Sequence, residues 1–568
     1  MHADKDDMQY DDEFDVIVAG SGGAALLSAV RAHDLGMKVL VIEKGDQYGG
    51  TTATSGGALW IPVNGQAPDD YESAYTYLKA AVGDTTSDDK VRAYLESGAE
   101  MIGYVNEKTA LRYKVSPGYA DYYQEMPGAV AGGRALAPEP FNGALLGEEL
   151  ERLRPTHPGS TLMGIGMTIP ESNAMATKAP GWIGVVLRIM LRYWFDLPWR
   201  FRTKRDRRLC LGNALIGGLR HAMLTRGIPL WLECPLASLV VEGGRVQGVV
   251  AHRAGQPVTL RARRGVVLAA GGFERNQAMR DQYLPHPTRQ EWSATPVGLN
   301  TGDTIRAAEA IGAQLEHMDL SWGTPTVRNP AVPQGAQPVF AERGFGGSIC
   351  VNRQGRRFAN EALSYDRFQL AMYAEHAKSG GAIPAWWVFD TRYRKNCPFG
   401  PLLPSSAFPD SKVPRDWWGD FLFKDDTLKG LARQIGVDAT GLAESVRRNN
   451  EYARTGTDPE FGRGNNVFDR YWSLRSAGPN PCLVVIDTPP SYGVKIQPGD
   501  TGTKGGPAVT AHGQVLDKAG QPIPGLYCVG NNSAAVLGRA YAGAGSTIGP
   551  GMVFAFRAVN HIAGTGVG

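Results

Sequence analysis

The chain has 568 residues, of which 43% are hydrophobic and 20% charged, and its 59 basic residues nearly balance 56 acidic ones. This composition excludes a disordered chain, and the length allows roughly two to four domains. The net charge of +3 argues against a nucleic-acid partner. The 72 glycines have no three-residue period, which excludes collagen, and their number suggests an enzyme whose backbone approaches a ligand in several places.

The six cysteines form neither a C-x-x-C pair nor a cluster with zinc-ligand spacing, so we expect buried, reduced thiols and no metal site. The acidic start of the chain, MHADKDDMQYDDEF, lacks the basic residues and apolar run of a secretory signal. No stretch approaches the roughly 18 apolar residues that a membrane-spanning helix needs. A cytoplasmic location is therefore expected.

The first predicted elements form a strand, a glycine turn, a helix and a second strand. Residues 14–19 are an apolar run of strand type, 26–35 have helical spacing and 38–42 form another apolar run that ends at Glu43. The turn between them, GSGGAA at 20–25, matches the G-x-G-x-x-A fingerprint of dinucleotide-binding domains. This order predicts a nucleotide cofactor.

Each position of the fingerprint has a physical role. Gly20 allows the tight turn, Gly22 lets the backbone approach a pyrophosphate, and Ala25 lets the helix pack closely on the strand. The free N–H groups at the helix start can bind phosphate. Glu43 follows where a carboxylate can accept the ribose hydroxyls.

A second segment favours FAD over NAD. Residues 44–57 are rich in Gly, Thr and Ser directly after the ribose acid, which suits a backbone laid along a longer cofactor; the alternative is a flexible surface loop. Two further strands, at 265–272 and 525–531, lead into glycines, and a helix is predicted at 552–562. The N-terminus of that helix could face an anionic flavin ring.

The quoted segments together resemble a known family. In their order along the chain, these segments resemble those of the fumarate reductase/succinate dehydrogenase flavoprotein superfamily. The segments are GSGGAA, EKGDQYGGTTATSGGALW, LAAGGFERN, NTGD, GLYCVGNNSA and YAGAGSTIGPGMVFAF. More narrowly, the chain is similar to 3-ketosteroid Δ1-dehydrogenases, including the cholest-4-en-3-one type, from about residue 14 to 562.

The resemblance implies an α/β fold: a Rossmann-like FAD-binding domain of the glutathione reductase type with an inserted α+β catalytic cap. We predict the FAD domain at 1–300 and 490–568, the cap at 301–489, and an insertion at 167–208. FAD is expected to be non-covalent, because no His falls where the superfamily's flavin-linking His would stand. The residues expected to bind it are Gly20, Ser21, Gly22, Gly23, Ala24, Glu43, Lys44, Gly50, Thr51, Thr52, Ser55, Gly56, Gly57, Val240, Ala270, Gly271, Asp303, Gly530, Asn531, Ser546 and Ile548.

Three short motifs carry the resemblance to the ketosteroid enzymes. They are D-Y-Y at 121–123, N-E-A-L-S-Y-D at 360–366 and Y-A-G-A-G at 541–545, with Ser364 where the family often has Pro. Carried over residue by residue, they assign the catalytic roles to Tyr122, Tyr365, Tyr541 and Gly545.

The implied reaction explains why tyrosines serve. The Tyr541 hydroxyl and the Gly545 N–H would donate to the C3 oxygen of a 3-keto-4-ene steroid as it becomes enolate-like, where one donor is worth about 3 kcal/mol. Tyr365 would take the C2 proton with help from Tyr122, because a free tyrosine has a pKa of about 10. The C1 hydrogen would leave as hydride to flavin N5. A quinone or another acceptor would reoxidise the flavin.

Several alternatives remain at this point. A fumarate reductase-like enzyme would need Arg and His to pair with a dicarboxylate, but the position reads NTGD at 300–303 and lacks the expected His. A ketosteroid Δ4-dehydrogenase would share the fold and the carbonyl donors, with its base on another face of the steroid. A non-catalytic flavin electron-relay module is the alternative outside the enzymes.

The insertion predicts contact with a membrane surface. Segment 181–194 is apolar, and eight Arg or Lys stand against two Asp between 188 and 208. Its aromatic residues are Trp182, Trp194, Phe195, Trp199 and Phe201. An apolar face beside a basic cluster is typical of helices that lie on anionic lipid. The chain would then be peripheral on the inner face of the cytoplasmic membrane; the alternative is an additional packed helix hairpin, for example at a subunit contact.

Overall fold

The computed structural model describes residues 10–332, 335–474 and 478–565. The strands in these ranges are β1 (Asp12–Ala19), β2 (Val39–Ile42), β3 (Leu59–Trp60), β4 (Tyr113–Val115), β5 (Ala135–Pro138), β6 (Phe141–Asn142), β7 (Thr161–Leu162), β8 (Ile165–Gly166), β9 (Arg208–Leu209), β10 (Leu230–Trp231), β11 (Leu236–Glu242), β12 (Arg245–Arg253), β13 (Gln256–Leu268), β14 (Leu315–Glu316), β15 (Ser321–Arg328), β16 (Ala336–Pro338), β17 (Ser348–Val351), β18 (Ala385–Asp390), β19 (Leu422–Asp425), β20 (Ser491–Thr503), β21 (Gly506–Pro507), β22 (Gln514–Leu516) and β23 (Pro522–Cys528).

The α-helices, in chain order, are α1 (Gly23–Asp34), α2 (Gly50–Thr54), α3 (Tyr71–Val82), α4 (Asp88–Lys108), α5 (Glu149–Arg152), α6 (Ile169–Ala176), α7 (Trp182–Trp194), α8 (Leu197–Arg200), α9 (Leu211–Thr225), α10 (Gln277–Tyr283), α11 (Asp303–Ala310), α12 (Tyr365–Ser379), α13 (Thr391–Asn396), α14 (Leu428–Ile435), α15 (Ala439–Thr455), α16 (Val467–Tyr471) and α17 (Ile548–Ala563).

The first sheet is built around parallel strands in the order β10-β2-β1-β13-β23, and β12 and β11 extend it as an antiparallel hairpin. The apolar runs of β1 and β2 are almost fully buried, as expected for parallel strands covered on both faces. Helix α1 packs against α17 and α9. This is the Rossmann-like α/β arrangement that the sequence predicts.

Strand β13 joins the two parts of this sheet. Its first half pairs with β12, and its second half pairs with β1 and β23, with Val266 opposite Ile17 on one side and Leu526 on the other. The carboxyl ends of β1, β2, β13 and β23 therefore lie along one edge. In open parallel sheets a ligand binds at this edge.

The second sheet is antiparallel, in the order β16-β15-β20-β18-β17, and β19 also pairs with β20. Helix α12 packs on one face through Phe368 and Met372, while α14 and α15 cover the other through Leu431 and Leu442. Strand β20 begins at residue 491, beyond the predicted cap boundary at 489. The division of the chain into domains stays a prediction.

The insertion leaves and rejoins the first domain at one point, because β6 pairs with β9 through Phe141 and Leu209. Between them, α6 packs against α7. In the part of the chain described, no helix combines the length and the apolar character needed to cross a bilayer.

Candidate active site

The glycine turn after β1 needs its first glycine. Gly20 has a φ of +111°, and a Cβ there would lie 2.3 Å from the carbonyl oxygen of Ala269, which follows β13. Gly22 is the residue that precedes α1, and Gly23 is its first residue. The turn thus brings the start of α1 to the sheet edge with free N–H groups.

Glu43 connects the turn to the second glycine-rich segment. Its carboxylate is buried and accepts hydrogen bonds from the Ser21 hydroxyl at 2.6 Å and the Gly45 N–H at 2.8 Å. The same Ser21 oxygen accepts the Gly49 N–H at 2.9 Å. The acid predicted to hold the ribose therefore has a fixed position at the end of β2.

The second segment folds back on α1. Gly23 donates its N–H to the Thr52 hydroxyl at 3.2 Å, and Asn300 donates to the Thr51 hydroxyl at 2.7 Å. Gly57 has a φ of +64°, and a Cβ there would lie 2.5 Å from the backbone of α9. Of the other predicted residues in this segment, Gly50 begins α2, Ser55 follows it with its hydroxyl on the Thr52 carbonyl, and Gly56 stands in open space.

Two predicted cofactor-binding residues form an ion pair at the start of the second segment. The Lys44 ammonium lies 2.7 Å from the Asp303 carboxylate, at the first residue of α11. Helix α11 also packs against β11, the strand that contains Val240. These residues form one side of the sheet edge.

The segments that follow β13 and β23 are joined by the side chain of an asparagine that the sequence analysis did not predict. Asn532 accepts the Ala270 N–H at 2.8 Å and the Thr304 hydroxyl at 2.6 Å. Its own amide nitrogen is buried and has no partner among the described residues. A ligand with an acceptor atom at this point would satisfy it.

A narrow cleft lies between the turn after β23 and the start of α17. Gly530 and Asn531 line it, and Gly530 lies beside Ala24. Ile548 at the start of α17 faces Gly23, and the Ser546 hydroxyl bonds to the Gly543 backbone. Gly271, after β13, has a φ of +83°, and a Cβ there would lie 2.5 Å from the Asn300 side-chain oxygen.

These observations fit FAD. The residues offer a glycine turn at a helix start for the pyrophosphate, a buried carboxylate for the ribose and an unpaired amide beside a cleft. Their individual contacts with the cofactor stay predictions.

Three tyrosines meet beyond the start of α17. The Tyr122 and Tyr365 hydroxyls lie 2.5 Å apart, and the ring centroids of Tyr365 and Tyr541 lie 4.9 Å apart. Tyr122 comes from the loop between β4 and β5, Tyr365 is the first residue of α12, and Tyr541 lies before α17. Segments far apart in the chain thus place three side chains, each less than 10% exposed, in one cluster.

Burial raises the pKa of the Tyr122 and Tyr365 hydroxyls well above the ordinary value, and it raises the pKa of Tyr541 in the same direction. The physical cause is the loss of water around a phenolate. A tyrosine that acts as a base here needs compensating interactions.

Gly545 and Tyr541 are the two predicted donors to the substrate carbonyl, and they lie four residues apart in the chain. Gly545 has a φ of +102°, and a Cβ there would lie 2.5 Å from the Ala58 carbonyl, so only glycine fits. Among the described residues its N–H has no acceptor. The Tyr541 oxygen accepts from Thr547 at 3.3 Å, which leaves its own proton available. This pair can donate to one carbonyl oxygen.

A fourth tyrosine, Tyr123, connects the cluster and was not predicted by the sequence analysis. The Tyr123 hydroxyl donates to Asp366 at 2.6 Å and accepts the N–H of Tyr541 at 2.9 Å. Both Tyr123 and Asp366 stand in the quoted motifs, directly after Tyr122 and Tyr365. Their place in those motifs was the available signal.

Asp121 and Lys504 also support the cluster and were not predicted. Asp121 accepts from Trp60 and pairs with Arg134, and burial raises its pKa to about 6. Lys504 donates to the carbonyls of residues 539 and 540, lies 4.3 Å from the Trp322 ring, and has its pKa lowered to about 7 by burial.

Comparison with known proteins identifies the cofactor. A family model described as an FAD binding domain matches residues 15–548. Nearly the whole described chain is thus covered, and the predicted FAD cofactor is confirmed.

The chain is also similar to proteins of known activity. It is 42% identical to the 3-oxosteroid 1-dehydrogenase of Comamonas testosteroni, over 97% of each chain, and 40% identical to that of Mycobacterium tuberculosis, over 97% of this chain and 98% of the relative. A solved structure, 3-ketosteroid delta1-dehydrogenase from Sterolibacterium denitrificans in complex with 1,4-androstadiene-3,17-dione, has a TM-score of 0.95 and 52% identity, and the match covers 98% of this chain and 100% of that chain.

The Tyr123 bridge generates a stability prediction. Tyr123→Phe leaves the Tyr541 N–H without its acceptor and removes the hydroxyl that donates to Asp366, so the free energy of unfolding should fall by about 1–3 kcal/mol in urea titrations. Tyr104→Phe is the matched control, because it also removes a tyrosine–aspartate bond, but Asp34 keeps Arg226. Equal losses in the two variants would contradict a special role for Tyr123.

Proposed function

Since this chain belongs to the 3-oxosteroid 1-dehydrogenase family, we propose that it desaturates the A-ring of a 3-keto-4-ene steroid between C1 and C2. The observation that carries the proposal is the buried cluster of Tyr122, Tyr365 and Tyr541 beside the unpaired Gly545 N–H. Removal of two hydrogens from adjacent carbons of a cyclic ketone needs one base and a pair of carbonyl donors, which this cluster can supply.

The carbonyl donors act on the C3 oxygen. The Tyr541 hydroxyl and the Gly545 N–H would hold this oxygen and stabilise the negative charge that develops on it. Gly545 donates from a backbone held by close packing on Ala58, so its N–H does not reorganise during the reaction. Polarisation of the carbonyl makes the C2 hydrogen acidic.

Tyr365 is the proposed base. As a phenolate it accepts the C2 proton, the C2–H electron pair forms the C1=C2 bond, and the hydrogen on C1 leaves with its own bonding pair. Bound FAD supplies the acceptor for that hydride. The Tyr122 and Tyr365 oxygens lie 2.5 Å apart, so Tyr122 would donate to a Tyr365 phenolate and could pass the proton onward.

The alternatives have less support. The relatives that share at least 40% identity over nearly the whole chain are 1-dehydrogenases. A fumarate reductase-like enzyme would carry a His in the motif that reads NTGD at 300–303 in this chain, and that His is absent. Dehydrogenation at C1 and C2 is therefore favoured over a Δ4-dehydrogenase, a fumarate reductase-like enzyme and an electron-relay module.

The catalytic roles can be tested with two single substitutions. Tyr541→Phe removes a carbonyl donor and Tyr365→Phe removes the base, so each should lower kcat by about 10²-fold or more while FAD stays bound. Anaerobic bleaching of the flavin absorbance by androst-4-ene-3,17-dione measures the chemical step. Failure of the unsubstituted protein to bleach would reject the dehydrogenase, whereas rapid bleaching in Tyr365→Phe would reject only the assignment of the base.

The mode of FAD binding is a separate prediction. We expect a non-covalent cofactor, because no His occupies the position of the superfamily's flavin-linking His. Acid precipitation should release all yellow colour into the supernatant. Colour that stays in the washed pellet would show a covalent bond.

We further propose that the insertion rests on an anionic membrane surface, where sterols and quinone acceptors reside. The exposed face of α7 presents Ile183, Leu187 and Leu191 at four-residue spacing, each more than half exposed. Phe195 and Phe201 beside it are 74% and 88% exposed. An apolar surface of this kind, rimmed by basic residues, is typical of an interfacial helix.

The basic residues fall into two groups. Arg188, Arg202 and Lys204 are exposed and have no ion-pair partner within the described ranges, so they can face lipid phosphates. The others bind protein groups: Arg205 donates to the carbonyls of Leu150 and Leu153. The remaining pairs are Arg192 with Asp206, Arg207 with Asp196, Arg208 with Glu171 and Arg200 with the carbonyl of Lys204. Since few of the basic residues are free to bind lipid, we expect burial of the apolar side chains to supply most of the free energy of membrane binding.

Membrane binding can be separated into its two parts. Leu187→Gln with Leu191→Gln should weaken binding to anionic vesicles by roughly 10-fold or more, since each leucine loses about 1 kcal/mol of apolar burial. Replacement of Arg188, Arg202 and Lys204 by Gln should remove most of the salt dependence of vesicle binding, because each charge contributes about 1 kcal/mol near an anionic surface. Vesicle sedimentation measures both effects.

The control is Leu403→Gln, another exposed leucine outside the insertion. It should bind vesicles normally. All variants should turn over soluble androst-4-ene-3,17-dione, while activity on cholest-4-en-3-one in vesicles should fall with binding. Unchanged vesicle binding together with an altered oligomeric state would show that α7 is a subunit contact instead.

A further inference from the structure

Arg343 is a buried cation beside the proposed base. Its side chain is 2% exposed, and its guanidinium donates to the backbone carbonyls of Val339 at 2.9 Å, Glu361 at 3.2 Å and Leu363. Within the described residues no carboxylate lies at ion-pair distance from it. The buried carboxylates of Glu342 and Asp366 favour its charged form without forming an ion pair with it, and a buried guanidinium that lacks such a pair is costly.

The guanidinium is held close to Tyr365. Its central carbon lies 5.8 Å from the centroid of the Tyr365 ring and 6.0 Å from that of Phe368, one helical turn later. Leu363, one of its acceptors, stands two residues before Tyr365. The cation is therefore fixed to the same segment that places the base.

We propose that Arg343 is a positioning residue that acts through Tyr365, because its fixed positive charge favours the phenolate form that accepts the C2 proton. This inference rests on the proposed dehydrogenation. Tyr365 also opens α12, so the helix N-terminus adds partial positive charge on the same side. Burial lowers the pKa of Arg343 to about 10, and a phenolate on Tyr365 would favour its charged form.

Other charged and titratable groups face Tyr365 and must be considered. They are Tyr119, Tyr122 and Tyr541, with Asp366 and Lys504 behind them. Asp366 opposes a phenolate, but its carboxylate accepts from Tyr123 and faces the buried Lys504. Lys504 itself lies over the Trp322 ring rather than Tyr365. On α12, Arg367 already pairs with Glu125 at 2.5 Å. Arg343 is thus the cation whose charge is directed at the base.

The pH profile of steroid dehydrogenation tests the inference. A charge about 6 Å away in a protein interior changes an ionisation constant by about 10²-fold. In Arg343→Gln the pKa of Tyr365 should rise, so kcat/KM at neutral pH should fall by about 10²-fold. The ascending limb of the profile should move to higher pH by about two units, which is the same 10²-fold change, and alkaline pH should recover part of the activity. Arg343→Lys, which keeps the charge, should restore most of the activity at neutral pH.

A double-substitution cycle separates this role from a structural one. In a Tyr365→Phe background Arg343→Gln should have little further effect on kcat/KM, since the charge acts through the missing hydroxyl. The control is Arg394→Gln, another buried arginine that donates to loop carbonyls, at Leu403 and Phe408. It should lower stability without moving the pH profile.

The outcomes are distinct. Equal loss of activity at every pH in Arg343→Gln, or an undiminished effect in the Tyr365→Phe background, would overturn the inference and leave Arg343 as a structural residue. Arg343→Met provides a second neutral side chain of similar length if the glutamine variant does not fold. Absence of flavin bleaching by steroid in the unsubstituted protein would instead reject the proposed function, and the inference with it.

Discussion

The site depends on two hydrogen bonds between consecutive residues of two distant segments. Tyr122 bonds to Tyr365 at 2.5 Å and Tyr123 bonds to Asp366 at 2.6 Å, so the loop after β4 is joined to the start of α12 at two adjacent points. Because Tyr123 also accepts the N–H of Tyr541, the segment before α17 is held in the same place. The three hydroxyls have their positions only because both sheets, the glycine turn and α17 place these segments together.

Burial of the tyrosine cluster strengthens its hydrogen bonds and raises the free-energy cost of a phenolate in it. The ring centroids of Phe340, Phe468 and Trp322 lie within 5 Å of those of Tyr365, Tyr122 and Tyr541, respectively. Phe468 and Trp322 are buried, whereas Phe340 is 36% exposed. A low-dielectric site strengthens every hydrogen bond to a substrate carbonyl, but it also disfavours a phenolate. The buried Arg343, held by backbone carbonyls beside Tyr365, is the cation that we propose offsets this cost.

The insertion shows the opposite physical situation. Most large apolar side chains of the protein are buried. In α7, however, Ile183, Leu187 and Leu191 are exposed to solvent and Ile189 is the buried residue. Exposed apolar area of this extent is unfavourable for a monomer in water and is stabilised when another surface covers it. The base of the insertion is closed by the pairing of β6 with β9, so this helix projects without disturbing the sheet that holds the cofactor.

Local patterns were sufficient to predict the cofactor-binding part. Residues 14–43 form the predicted strand, turn, helix and strand, because apolar runs and a glycine turn act within a few residues of one another. Gly20 and Glu43 could be named for the same reason: a tight turn and a carboxylate at a strand end are properties of short segments. The tyrosines proposed as catalytic could be named only through the family's motifs, since nothing in their local spacing distinguishes them among 21 tyrosines.

The remaining features depended on tertiary structure. Tyr123, Asn532 and Arg343 gain their importance from partners 243, 262 and 20 residues away, and no local pattern encodes such distances. The basic cluster of the insertion looks uniform in the sequence, yet Arg205 is half-buried and donates to backbone carbonyls, while Arg188 is exposed. The sequence by itself determined which local elements form and which chemistry they can hold. Only the tertiary structure decided which polar groups meet and which charges remain free, because hydrogen bonding and burial are set by the packing of segments that are distant in the chain.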